Sequence, residues 1–173
     1  MRTAITAALL LLATPALADD ELIGASDAPL HELEPHYSAA ALKFISMTLP
    51  AHPENPFWFG PGALTEFPIW HGLLEVEFAA ALLVGEHGWE VPVDVILKVP
   101  YHFNHFWDVF AGVGPMVAWN AHGAGYGAIA TVGGYAWNEG NVGLLLELDY
   151  TFLSHATEEA HGVEAAVGVA LRY

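Results

Sequence analysis

The chain is 173 residues long, enough for one domain and short of two. Hydrophobic residues make up 54% and charged ones only 14%, yet 20 acids stand against 4 bases, for a net charge of −16. That balance excludes nucleic acid as a partner, because phosphate would be repelled. The absence of cysteine excludes disulfides, thiolate metal sites, a cysteine nucleophile and a lipoprotein anchor.

The first segment reads as an export signal. Arg2 gives a positive start, "AITAALLLLATP" an apolar core too short to span a membrane comfortably, and "ALA", ending at Ala18, a small-residue cleavage site. Residues 1–18 are expected to be removed after Ala18, leaving a mature chain that works outside the cytoplasm. Residues 19–35, "DDELIGASDAPLHELEP", are acidic and turn-rich and read as a leader. Over 36–173 the chain runs in segments of 10–15 residues split by seven turn clusters: "PAHPEN", "PIWHG", "GEHG", "HFNH", "NAHGAG", "NEG" and "SHATEEAH". Eight segments at that spacing favour an all-β sandwich or barrel over alternating strands and helices.

Period-two alternation tests this reading. In "LLEVEFAAAL", Leu74, Val76, Phe78, Ala80 and Leu82 oppose Glu75 and Glu77. In "WEVPVDVILKVPY", the face from Trp89 through Val95 to Tyr101 opposes Glu90, Asp94 and Lys98. In "WDVFAGVGPMVAW", Trp107, Val109, Val113, Val117 and Trp119 lie opposite Asp108. In "VGLLLELDYTF", Val142, Leu144, Leu146, Leu148 and Tyr150 oppose Glu147 and Asp149. In the closing "HGVEAAVGVALRY", the face from Val163 to Tyr173 opposes Glu164 and Arg172. No charge falls on any of these apolar faces. Segments 36–49, 57–67 and 125–137 alternate less clearly. Pro92, Pro100 and Pro115 fall inside expected strands and are expected at bulges or strand ends, since proline removes a ladder hydrogen bond.

Alternation alone leaves two readings. A soluble, secreted calyx would bury the apolar faces around an apolar ligand; a membrane barrel would show them to lipid. Trp89 and Tyr101 are twelve residues apart on one face, as are Trp107 and Trp119. At ~3.3 Å per residue and a tilt of about 40°, twelve residues rise roughly 30 Å, close to a bilayer core. Aromatic girdles at both interfaces are expected of outer-membrane barrels. The favoured fold is therefore an eight-stranded, antiparallel, up-and-down transmembrane β-barrel over 36–173, with the calyx as the alternative.

The signal, the alternation and a final strand closing on Tyr173 resemble the small eight-stranded outer-membrane β-barrel proteins of Gram-negative bacteria, from about His36 to Tyr173. The stretches "FWFGPG", "EVPVDVILKVPYHF" and "GVGP" are similar to an uncharacterised branch of these proteins. The resemblance implies a place in the outer membrane, lipid as a partner, and a final strand read by the barrel-assembly machinery. It implies no reaction.

With the polar faces inward, the lumen receives Glu75, Glu77, Glu90, Asp94, Asp108, Glu147, Asp149 and Glu164 against two bases, Lys98 and Arg172. An eight-stranded barrel is only wide enough for side chains to fill it, so these carboxylates must be protonated, wet or paired with cations. An even strand number puts both termini in the periplasm. Glu75, Glu77, Asp108, Lys98 and Arg172, with Glu66 if 57–67 is a strand, then fall toward that end, where Arg172 is expected to answer the acids. Glu90, Asp94, Asp149 and Glu164 fall toward the outer end without a base. The lumen reads as a mostly filled, acidic plug or as a narrow cation-preferring pore.

His52, His87, His122, His155 and His161 fall at outward turns near Glu54, Glu86, Glu158 and Glu159. Imidazole and carboxylate suit zinc, copper or nickel, so a divalent cation is the one cofactor the pattern allows. No HxH or HxxxH pair fixes ligand geometry there, and the same residues suit solvated turns. Ser154 adjoins His155, but neighbours on a strand point to opposite faces. A hydroxyl must reach an imidazole to be activated, so no enzyme is expected.

Overall fold

The computed structural model describes residues 37–49, 56–70, 73–86, 88–154 and 159–173. The expected signal and leader, 1–18 and 19–35, lie outside them. Nine β segments form: β1 (Ala39–Thr48), β2 (Phe57–Trp70), β3 (Leu74–Ala81), β4 (Leu83–Gly85), β5 (Gly88–Asn104), β6 (Trp107–Asn120), β7 (Gly123–Trp137), β8 (Val142–Ser154) and β9 (Glu159–Arg172). All pairings are antiparallel, and each strand pairs with its chain neighbour. β9 returns to β1, with Ala39 opposite Arg172 and Thr48 opposite Val163. The sheet has no free edge, which removes the row of unpaired backbone groups that an open sheet carries. Tyr173 and Ser38 exchange backbone hydrogen bonds of 2.9 and 3.1 Å, clasping the two ends of the barrel chain.

β3 and β4 are two parts of one strand, so the wall has eight. Both pair with β2 and with β5 in a continuous register. The interruption is at Leu82, and two prolines explain it. Pro61 lies across from Leu82 on β2; its carbonyl accepts from the Leu82 N–H at 2.9 Å, but it has no N–H to return. On β5, Pro92 stands where the partner of Ala81 would be. A second gap follows the same rule: the β5–β6 ladder lapses where Val95 meets Pro115, between Asp94↔Met116 and Leu97↔Val113. Glycine precedes both prolines, and a Cβ on Gly60 or Gly114 would overlap the carbonyl oxygen of Leu82 or Val95.

The expected bulges at Pro92, Pro100 and Pro115 are absent. Register shifts occur instead between Pro68 and Trp70 and between His102 and Asn104. A strand offers each neighbour an N–H only at alternate residues, so a proline deletes one bond without demanding an extra residue. The shifts sit at strand ends, where the chain is about to turn.

Burial follows the alternation, with the apolar side out. Exposed side chains include Leu42, Phe59, Phe78, Leu97, Val113, Val132, Leu146 and Val169. β5 carries outward apolar side chains from Trp89 to Phe103, whereas the exposed stripe of β8 runs from Val142 to Tyr150. Trp89 and Trp119 lie near one rim, Tyr101 and Trp107 near the other. The interior holds three apolar clusters: Leu64, Phe110, Tyr135, Trp137 and Leu145 with four alanines toward the end bearing Ser38 and Tyr173; Ile45, Met47, Trp58 and Leu83 with Ala81 and Ala166; and Ile96, Met116, Ala118, Ile129 and Leu153. Between them lie charges. A calyx would have its apolar stripes inside; here they are outside.

Candidate functional site in the barrel lumen

Two lysines organise the interior, each set on its strand by alternation. Lys98 on β5 is fully buried and makes ion pairs with Glu66 of β2 and Glu77 of β3; Glu147 of β8 lies 3.9 Å away. The ammonium also sits 3.6 Å from the ring centroid of Phe110, a cation–π contact. The Tyr135 hydroxyl donates to the same oxygen, Glu66 Oε1, at 2.7 Å. Lys43 on β1 pairs with Glu147 at 2.5 Å, and the hydroxyl of Thr131 reaches the other oxygen of Glu147 at 3.3 Å. Thus six strands send polar groups into one connected network.

Nearer Ser38 and Tyr173 the lumen is aromatic. Trp137 stacks on Tyr135 at 4.9 Å between centroids, Tyr135 meets Phe110 at 5.5 Å, and Tyr37 packs edge-on to Trp137 at 6.4 Å. Arg172 lies over Tyr37 and Trp137, 4.8 and 5.1 Å from their centroids. Its guanidinium donates to the Tyr37 hydroxyl and to the Gly140 carbonyl, both at 3.1 Å. Arg172 was expected to answer acids; its contacts are rings, a hydroxyl and a carbonyl instead. It is the last residue of β9, at the rim, where flat aromatic faces suit a planar guanidinium. Asp108 accepts from Trp137 Nε1 at 2.5 Å and meets His102 Nδ1 at 2.7 Å. A cavity of about 20 Å³ lies among Glu66, Glu75, His102, Asp108 and Tyr135, room for about one water.

The other half differs. Asp94, Asp149 and Glu164 are buried, at 9, 3 and 5% exposure, and Asp149 faces Glu164 across the β8–β9 ladder. One oxygen of Asp94, one of Asp149 and the Trp58 indole N–H lack a hydrogen-bond partner within the protein. Glu90 is buried at the start of β5. Glu77, Glu90, Asp94, Asp108, Glu147, Asp149 and Glu164 all point inward; Glu75, at the β3 end, is half-buried.

Lys43 escaped the sequence reading, although a lone charge in the apolar run "AAALKFISMT" is the signal of a lumen position. Tyr37, Thr131, Tyr135 and Trp137 escaped it too, because their segments alternate poorly. Of the rim histidines, His122 is exposed in a turn whose amide is held by Asn120 Oδ1 at 2.9 Å, and His161 Nδ1 lies 2.7 Å from the Tyr150 hydroxyl, on the outer wall. His52, His87 and His155, and with His155 its pairing with Ser154, lie outside the described residues. Among the described residues no group of three or more histidines and acids is placed to hold a metal ion.

No family model and no curated protein matches the sequence. Solved structures match the fold. Neisserial surface protein A superposes with a TM-score of 0.63 at 11% identity, over 79% of this chain and 96% of that one. A de novo designed transmembrane β-barrel gives 0.54 at 13%, over 81% and 98%. The N-terminal barrel domain of Pseudomonas aeruginosa OprF gives 0.52 at 10%, over 78% and 97%. The chain has the fold of the small eight-stranded outer-membrane barrels. Its wall is closed and apolar outside, and charged side chains lie within it.

Proposed function

We propose that the chain is an outer-membrane barrel of Gram-negative type, exported by a signal cleaved after Ala18, with a sealed lumen and a structural or interaction role. One observation carries this reading: the lysine–carboxylate network and three apolar clusters fill the lumen, and Lys98, Leu83, Leu145, Ala118 and Ala170 are wholly buried. A plug of this kind resists ion flow because a passing ion would have to break buried pairs. Lipid is the partner of the outer wall, and the final strand ending in Tyr173 is the element offered to the assembly machinery.

The surplus of acids around Asp94, Asp149 and Glu164 favours a second reading, a narrow cation-preferring pore. Planar-bilayer recording separates the two. The sealed barrel gives no steady conductance. A cation-selective current that falls in the double variant Asp94→Asn, Glu164→Gln would establish the pore, and anion selectivity would sink both.

A further inference from the structure

We propose that His102, Asp108 and Trp137 form a proton-dependent latch across the mouth that carries Ser38 and Tyr173, tight when the imidazole is charged. The three side chains stand on β5, β6 and β7, so their contacts of 2.7 and 2.5 Å tie three successive strands together. The Asp108 side chain is 8% exposed and that of His102 41%, so protons reach the imidazole from water while the carboxylate stays shielded. The register shift between His102 and Asn104 falls at this tie, and such shifts re-aim side chains. The backbone adds a second tie between the same elements: the Trp137 N–H donates to the Phe106 carbonyl at 2.8 Å, in the turn joining β5 to β6.

The cavity of about 20 Å³ behind the latch opens toward the buried network. Acids face His102 from three elements: Asp108 of β6, Glu75 of β3 and Glu66 of β2. The nearby cations are engaged, Lys98 of β5 with Glu66 and Glu77, and Arg172 of β9 with Tyr37 and Gly140. Tyr135 of β7 and Tyr37 complete the titratable neighbours, and phenols do not ionise near neutral pH. Histidine does change charge there. A charged imidazole makes a charge-assisted bond to Asp108, roughly twice as strong as a neutral one. As pH rises through its titration, the charge assistance is lost and the His102–Asp108 contact keeps only the weaker bond of a neutral imidazole. The mouth then admits water to Glu66 and its lysine.

The indole N–H resonance of Trp137, assigned by its loss in Trp137→Phe, reports the latch in the purified barrel in micelles. Between about pH 5 and 8 it is expected to shift in one transition, to keep that transition in Glu75→Gln and to lose it in His102→Gln. At the alkaline end, exchange of the Trp137 backbone amide should be about fivefold faster in the parent than in His102→Arg at the same pH, since a fixed charge keeps the tie. A resonance that stays still, or one that moves equally in His102→Gln, overturns the proposal. His102 is partly exposed, so its substitution leaves folding intact.

Discussion

Lys98 shows how much can rest on one side chain. It is fully buried and holds two carboxylates, Glu66 and Glu77, that have no other cation so close among the described residues. Lys98→Met keeps the stem's packing and strands those charges. Breaking a buried pair from one side costs about 3–5 kcal/mol, and urea unfolding of the lipid-embedded barrel should show a loss of that size. The triple variant with Glu66→Gln and Glu77→Gln should recover most of it; no recovery would mean that Lys98 acts through packing alone. The sequence made Lys98 legible because it sits among acids on a strongly alternating strand. It hid Lys43, because the inward neighbours Ala41 and Ile45 are as apolar as the outward Leu42 and Phe44. Arg172 was legible as a lumen residue, but not its partners. Those depend on Tyr37 and Trp137 arriving from the two ends of the sheet seam and from β7, a meeting that no local pattern encodes.

At the scale of strands, alternation was enough in β3, β5, β6, β8 and β9. It failed in β1, β2 and β7, where apolar residues, glycine, alanine or proline on both faces leave little contrast. The prolines were misjudged for a physical reason: the ladder tolerates a missing donor if the orphaned carbonyl can settle against a glycine. Gly60 beside Leu82 and Gly114 beside Val95 provide that room. Gly60→Ala should therefore destabilise the barrel by about 1–3 kcal/mol, because the clash is with backbone and cannot be relieved by a rotamer. Pro61→Ala should act oppositely. It returns an N–H to the Leu82 carbonyl, slows exchange of the amides flanking the break and adds on the order of 1 kcal/mol. Unchanged exchange at Leu82 and Leu83 would show that the interruption has another cause.

The molecule as a whole reverses the arrangement of a water-soluble barrel, with lysine inside and leucine outside. The mature chain is therefore expected to sediment with membranes and to need detergent for release, and the urea-unfolded chain to regain strand circular dichroism only when micelles or vesicles are added. Recovery in the soluble fraction would contradict the outward-facing stripes. Those stripes also differ in height around the wall. At ~3.3 Å per residue and a tilt of about 40°, Trp89 to Phe103 on β5 rises roughly 35 Å and Val142 to Phe152, the last outward apolar side chain of β8, roughly 25 Å. A single hydrocarbon thickness cannot satisfy both. The surrounding lipid must stretch beside one wall and thin beside the other, or the axis must lean, each at a modest cost per ångström of mismatch. An eight-stranded cylinder that is symmetric in its topology would then impose a direction on the membrane around it, and proteins that respond to bilayer thickness would approach it from one side.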